Sequence, residues 1–223
     1  GCVQSNEAAI NVAPNLQVYG FLGGLAQNFV PDEIRDMENI SGRPDGSTGL
    51  AVMAGVKVGS ADQFTFHGDL DFYLSQNLTT LLQGRGWLFC TRDQEPSDNE
   101  VTADVRLARN PTTFDATFGA NLNLYHGLFR AVGEVALHFG PDKQFLHVGT
   151  KEAPITVSLK SAWDAMGYMT ADFEGGGAAL GAGAAFSYRK DADFGIIWGN
   201  AYLNARGDLL IEIDGDKNPH FLG

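Results

Sequence analysis

The chain has 223 residues, 44% of them hydrophobic, and a formal net charge of −12. That length and apolar content suffice for one all-β domain with its own core, while the acidic balance excludes nucleic acid and anionic lipid as partners, since both require a basic surface. Two cysteines, Cys2 and Cys90, allow at most one intrachain bridge and exclude a thiolate metal cage, and no apolar run reaches the length of a transmembrane helix.

Residues 1–15 read as a polar, irregular terminus, in which Cys2 follows a small residue as in a lipid-anchored protein. Leu16 to Leu25 has strand character broken by Gly20, Gly23 and Gly24. Pro31 at a first-turn position, Asp32 and Glu33 near the positive end, and Ile34, Met37 and Ile40 at helical spacing predict one short helix over residues 31–40, a lid or plug element. Ser41-Gly42 and Pro44-Asp45-Gly46 end it.

Strands follow. Leu50 to Val58 is the first, and then Phe64, Phe66, Gly68, Leu70, Phe72 and Leu74 alternate with Thr65, His67, Asp69, Asp71 and Tyr73, which predicts a strand with one wet face. Leu78 to Thr91 is a strand or a pair around Gly84-Arg85-Gly86, and Thr91 to Glu100 is a loop. Alternation resumes over Val101 to Leu107, Phe114 to Leu124 and Phe129 to Phe139; shorter strands are predicted at Phe145 to Val148 and Ile155 to Leu159, with a turn or helical piece at Ser161 to Ala165.

The longest extended stretch runs from Gly167 to Gly215 and contains Gly175-Gly176-Gly177. Within it Leu180, Ala182, Ala184, Phe186 and Tyr188 share one parity, while Ala179, Gly181, Gly183, Ala185 and Ser187 share the other. Beyond Phe194 the odd positions stay small or apolar. Gly181, Gly183, Ala185, Gly195, Gly199 and Ala201 are therefore the expected assembly face, where a second layer can approach a nearly bare backbone. Ten to twelve strands joined by short turns predict an antiparallel meander forming an extended sheet, rolled sandwich or barrel. No composition shift marks a boundary, so residues 1–223 are expected to form a single all-β domain.

Candidate chemistry is sparse. His67, Asp69 and Asp71 line up at about 7 Å intervals on one strand face, which is too wide for a single ion and is what a solvated face requires anyway. Asp93, Glu95, Asp98, Asn99 and Glu100 form an acidic loop without the spacing of a helix–loop–helix calcium site. There is no Gly-x-Ser-x-Gly elbow or His-Glu-x-x-His, and Lys190 after the glycine run lacks the Ser/Thr of a phosphate loop, so no catalytic residue, cofactor or metal is expected. Arg206-Gly207-Asp208 spells an adhesion tripeptide inside a strand pattern.

The run Phe145-Leu146-His147-Val148-Gly149-Thr150-Lys151-Glu152-Ala153-Pro154-Ile155, then Gly167-Tyr168-Met169 and the glycine-rich strand, resembles segments of very long, strand-rich bacterial proteins of unassigned function. The resemblance spans roughly residues 114–214, implies an extended β module in a large protein and brings no catalytic residue. The leading expectation is a non-enzymatic structural or interaction module, extracellular or in the cell envelope, that forms homo-oligomers or joins a larger assembly. A second reading is an outer-membrane β-barrel, favoured by long alternating strands, high glycine and acidity, and opposed by aromatic residues that do not gather at strand ends. A third is a sandwich binding carbohydrate through Trp87, Trp163 or Trp198.

Overall fold

The computed structural model describes residues 10–34, 40–62, 64–89, 100–160, 162–193, 198–213 and 219–222. They are built from antiparallel strands, and none of the described residues is helical. The chain divides into two compact units, Gly1–Phe118 and Gly119–Gly223.

In the first unit β1 (Ile10–Ala13), β2 (Leu16–Gln27), β5 (Leu50–Gly59), β6 (Phe66–Ser75), β7 (Thr80–Leu88) and β8 (Glu100–Arg109) pair in that order. The turns are closed by short polar side chains that replace backbone partners. The Asp62 carboxylate accepts hydrogen bonds from the amides of Phe64 and Thr65 and from the hydroxyls of Ser60 and Thr65, which hold it well below the usual carboxylate range. Asn110 likewise accepts from the amides of Thr112 and Thr113.

β3 (Phe29–Ile34) and β4 (Ile40–Pro44) pair only with each other, as a separate two-stranded hairpin. This corrects the helix expected over residues 31–40. Residues 31–34 and Ile40 are strand, while residues 35–39 lie outside the described residues. The helical spacing of Ile34 and Ile40 is equally a pair of cross-strand partners, and Ile34 faces Ile40 in the ladder. The terminus expected to be irregular through residue 15 also contains β1, paired with β2.

β9 (Phe114–Leu124) crosses the division between the units. In the second unit β10 (Phe129–Phe139) pairs along its length with two shorter strands in succession: β12 (Ile155–Leu159) on Phe129–Val132 and β11 (Lys143–Val148) on Val135–Phe139. Both then pair with β13 (Trp163–Glu174); of the turn or helical piece expected over Ser161 to Ala165 the turn is present at Lys160 and Ala162, where the Ala162 amide donates to the Leu159 carbonyl, and Trp163 to Ala165 is strand. β13, β14 (Gly177–Asp193), β15 (Trp198–Ile213) and β16 (Pro219–Leu222) complete the order. Gly175 and Gly176 form the two-residue turn between β13 and β14, with φ of 59° and 83°. That left-handed pair matches the twist of the flanking strands and is costly for any residue with a Cβ.

Candidate functional site

The two faces of these sheets divide the chemistry in an unusual sense. In the first unit the parity open to the surroundings is apolar: Phe21, Leu25, Val52, Leu70 and Leu74 are all 38% exposed or more. The enclosed parity carries Asp71, Tyr73 and Ser75, each 6% exposed or less, together with the apolar cluster Leu22, Ala51, Met53 and Leu81. A strand that only half-buries an apolar core shows the reverse arrangement.

On the enclosed face of the first unit the register builds a transverse row of alternating charge. Lys57 lies opposite Asp69, Asp69 opposite Arg85, and Arg85 opposite Asp104. Arg85 Nε–H donates to Asp104 over 2.5 Å, and its guanidinium stands 6.0 Å from the Trp87 ring, which stacks on His67 at 5.1 Å. The next row places Asp71 opposite Gln83 and Gln83 opposite Arg106. The expected alignment of His67, Asp69 and Asp71 therefore holds, but each is set among cross-strand neighbours, and no group of three potential ligands placed for a metal ion occurs among the described residues.

The β3–β4 hairpin covers part of this enclosed face, over its apolar cluster. Tyr73, fully buried, donates its hydroxyl proton to the carbonyl of Phe29, and burial pushes the phenol pKa up. Ile40 packs on the cluster Leu22, Ala51, Met53, Tyr73 and Leu81, and Arg106 reaches the carbonyl of Asp32 at 3.4 Å. A cavity of ≈ 640 Å³ opens beside the hairpin, lined among others by Arg43, Arg106, Arg109, Asp32, Asp45 and Asp115.

In the second unit the register assigns one parity to Leu137, Leu146, Val148, Met169, Ala171, Phe173, Leu180, Ala182, Ala184, Phe186, Leu209 and Ile211. This apolar face is framed by aromatic rows. Phe139 and Phe173 both lie opposite Gln144, while Trp163 lies opposite Tyr188 at the other end of β13. The sequence shows no gathering of aromatic residues at strand ends because the rows appear only once the strands are placed in register.

The other parity of the second unit carries charges and hydroxyls, interleaved with Val132, Met166 and Leu210. His138, Phe145 and His147 stack in series at 5.3 and 4.4 Å, and His147 Nε2 contacts both Asp172 carboxylate oxygens at 3.0 and 3.1 Å. Tyr168 donates to Asp208 at 3.2 Å and Arg206 Nε–H to the same carboxylate at 3.0 Å. The Arg206 hydrogen bond holds Asp208 below the ordinary carboxylate value, and desolvation together with Asp208 raises Tyr168. Arg206 and Asp208 of the adhesion tripeptide are thus paired with each other.

The expected assembly face lies on this polar parity. A Cβ at Gly181 would stand 2.6 Å from Thr170 Oγ1, and one at Gly183 would stand 2.9 Å from Tyr168 Cζ and closer still to the Asp208 carboxylate. The side chains of β13 and β15 close over the bare strand between them. Ala185 shares its parity, whereas Gly199 and Ala201 belong to the apolar parity of β15 through their partners Ala192 and Lys190 on β14, so the six residues do not form one face. Gly195, Cys2, Cys90 and the loop residues Asp93, Glu95, Asp98 and Asn99 lie outside the described residues. Of the three tryptophans, Trp87 joins the polar face of the first unit and Trp163 the apolar face of the second. No protein-family model, no curated protein and no solved structure matches this chain.

Proposed function

We propose that the chain is a strand-built membrane protein, a transmembrane β-barrel of the outer-membrane kind whose apolar parity meets lipid and whose polar parity lines an aqueous interior. One observation carries this reading: along β2, β5 and β6 of the first unit and β14 of the second the more exposed parity is apolar, and the neighbouring charges Asp69, Asp71, Arg85 and Asp208 belong to the other. Water makes such a surface costly at about 25 cal/mol per Å² of apolar area, whereas hydrocarbon makes it the favoured one. A sheet in hydrocarbon must also join its edges, because an open edge leaves backbone groups without partners.

The dimensions agree. From Trp163 to Phe173 along β13 the chain advances ten residues. That is ~33 Å along the strand and, at a tilt of ~40°, ~25 Å along the membrane normal, the height of the apolar band between aromatic girdles in such proteins. The reading places the protein in a cell envelope and assigns it no catalysis. Association of copies through the apolar face would cover the same residues, and the glycine parity expected to mediate it is already occupied by Tyr168, Thr170 and Asp208.

Neighbouring residues on β15 test the proposal, since Leu209 and Leu210 project to opposite faces. Spin labels on Leu209→Cys and Leu210→Cys, each in a Cys2→Ser, Cys90→Ser background reconstituted into vesicles, should differ in accessibility. Position 209 should be relaxed by oxygen dissolved in the bilayer, and position 210 by a water-soluble nickel complex. A protein that stays monodisperse without detergent and does not float with vesicles overturns the membrane reading. Label 209 shielded from both reagents in a sedimenting oligomer selects assembly between copies instead.

A further inference from the structure

We infer that the β3–β4 hairpin is a constriction folded onto the enclosed side of the first unit, and that the charged cleft beside it selects small zwitterionic solutes bearing a carboxylate and an ammonium group. The inference rests on the membrane reading and adds the solute class and the element that sets it.

The hairpin belongs to neither face of the sheet. Among the described residues its two strands pair with each other, and it is tied down on the enclosed side of the sheet. The amide of Asn28 donates to the Gly49 carbonyl and that of Asp45 to the Asn28 carbonyl, both at 2.8 Å, which fixes the base. Tyr73 holds the Phe29 carbonyl, Arg106 holds the Asp32 carbonyl, and Ile40 docks on the apolar cluster. A ribbon so anchored on the enclosed face occupies space that solutes would otherwise cross.

The cleft it leaves is of small-molecule size, ≈ 640 Å³. Its lining offers guanidinium groups from Arg43, Arg106 and Arg109 and carboxylates from Asp32, Asp45 and Asp115. The remainder mixes hydroxyl and amide groups, among them Asn77, Thr79 and Thr80, with the apolar side chains of Val30, Leu81 and Ala108. Fixed charges of both signs around one cleft repel a solute of either single charge at some of its positions there. A solute with both charges finds a partner for each. The chain's overall acidity does not set the local chemistry here, because the two signs are matched within this lining.

The test compares uptake of glycylglycine, a zwitterion, with uptake of triethylene glycol, a neutral solute, by proteoliposome swelling. Wild-type protein should admit glycylglycine several-fold faster than the neutral solute. Arg109→Glu, at an exposed strand end away from the hairpin's anchors, should abolish that preference. The Tyr73→Phe, Arg106→Gln double variant should raise both rates and speed amide exchange over residues 29–34 and 40–44. Equal wild-type rates for the two solutes, or an Arg109→Glu preference like wild type, overturn the solute assignment. Double-variant hairpin amides that exchange no faster than wild type, or unchanged rates despite faster exchange, overturn the constriction. In each of these outcomes label 209 still reports lipid contact, so the membrane reading stands. Loss of that lipid contact in wild type removes both.

Discussion

Replacing Gly183 with alanine tests whether the bare strand serves its own neighbours or a second copy of the chain. The added methyl would press on the Tyr168 ring and on the Asp208 carboxylate, the two groups that hydrogen-bond above it at 3.2 Å. Tyr168 must swing aside, which forfeits a hydrogen bond of ~1 kcal/mol and adds overpacking of ~1–3 kcal/mol. Restricting the unfolded chain returns ~0.4–1 kcal/mol, so the net loss is about 1–3.5 kcal/mol. Gly207→Ala is the control, because its Cβ would meet nothing within 4 Å and only the unfolded-state gain remains. Urea unfolding in lipid or detergent, followed by far-ultraviolet circular dichroism at two protein concentrations, reads both variants. The Gly183→Ala midpoint should fall equally at each concentration, and the effect should shrink in a Tyr168→Ala background, where the ring is absent. A midpoint like wild type, or a loss that appears only on dilution, refutes the claim that Tyr168 and Asp208 close this strand.

Leu209→Arg places a guanidinium between the two aromatic rows of the apolar face, and in a bilayer it should cost about 2–4 kcal/mol by reversible unfolding from vesicles. A neutral result would place that surface in water. Gly176→Ala should cost about 1–2 kcal/mol by urea unfolding, because its φ of 83° is left-handed and nothing else opposes the methyl. Asp62 has a depressed folded pKa, so its turn contributes stability that is fully present above the unfolded value of ~3.9 and is lost as pH falls below it. Unfolding midpoints measured from pH 6 down to pH 2.5 should therefore decline less steeply in Asp62→Asn than in wild type.

Period-two alternation made most of the fold legible. Phe114 to Leu124, Phe129 to Phe139 and Ile155 to Leu159 were bounded from sequence where the structure places β9, β10 and β12. The hairpin failed because Pro31, Asp32 and Glu33 satisfy helix-start rules, while the deciding contact, Ile40 on the cluster around Tyr73, joins residues distant in sequence. Parity shows that β14 has a bare side but not which side faces outward, and nothing local to Gly181 or Gly183 says that Tyr168 and Asp208 reach over them from neighbouring strands. The aromatic rows and the Lys57–Asp69–Arg85–Asp104 row are likewise properties of register, visible only after pairing. Arg85 could be singled out beforehand only as a charge between two glycines in an otherwise apolar run.

The pairing of β13 with β14 stops at Trp163 and Tyr188, yet β14 and β15 continue opposite one another from Arg189 and Tyr202 to Asp193 and Trp198. The Arg189 amide still donates to the Ala162 carbonyl at 2.8 Å, so the four rungs from Lys190 and Ala201 to Asp193 and Trp198 form an overhang, ~13 Å long, beyond the reach of β13. Deleting opposed residues in pairs from this overhang shortens it without moving any partner on the sheet side of Tyr188, so neither facing nor register changes there. The overhang is consequently a place where this chain can gain or lose length in matched pairs without disturbing the register of the sheet.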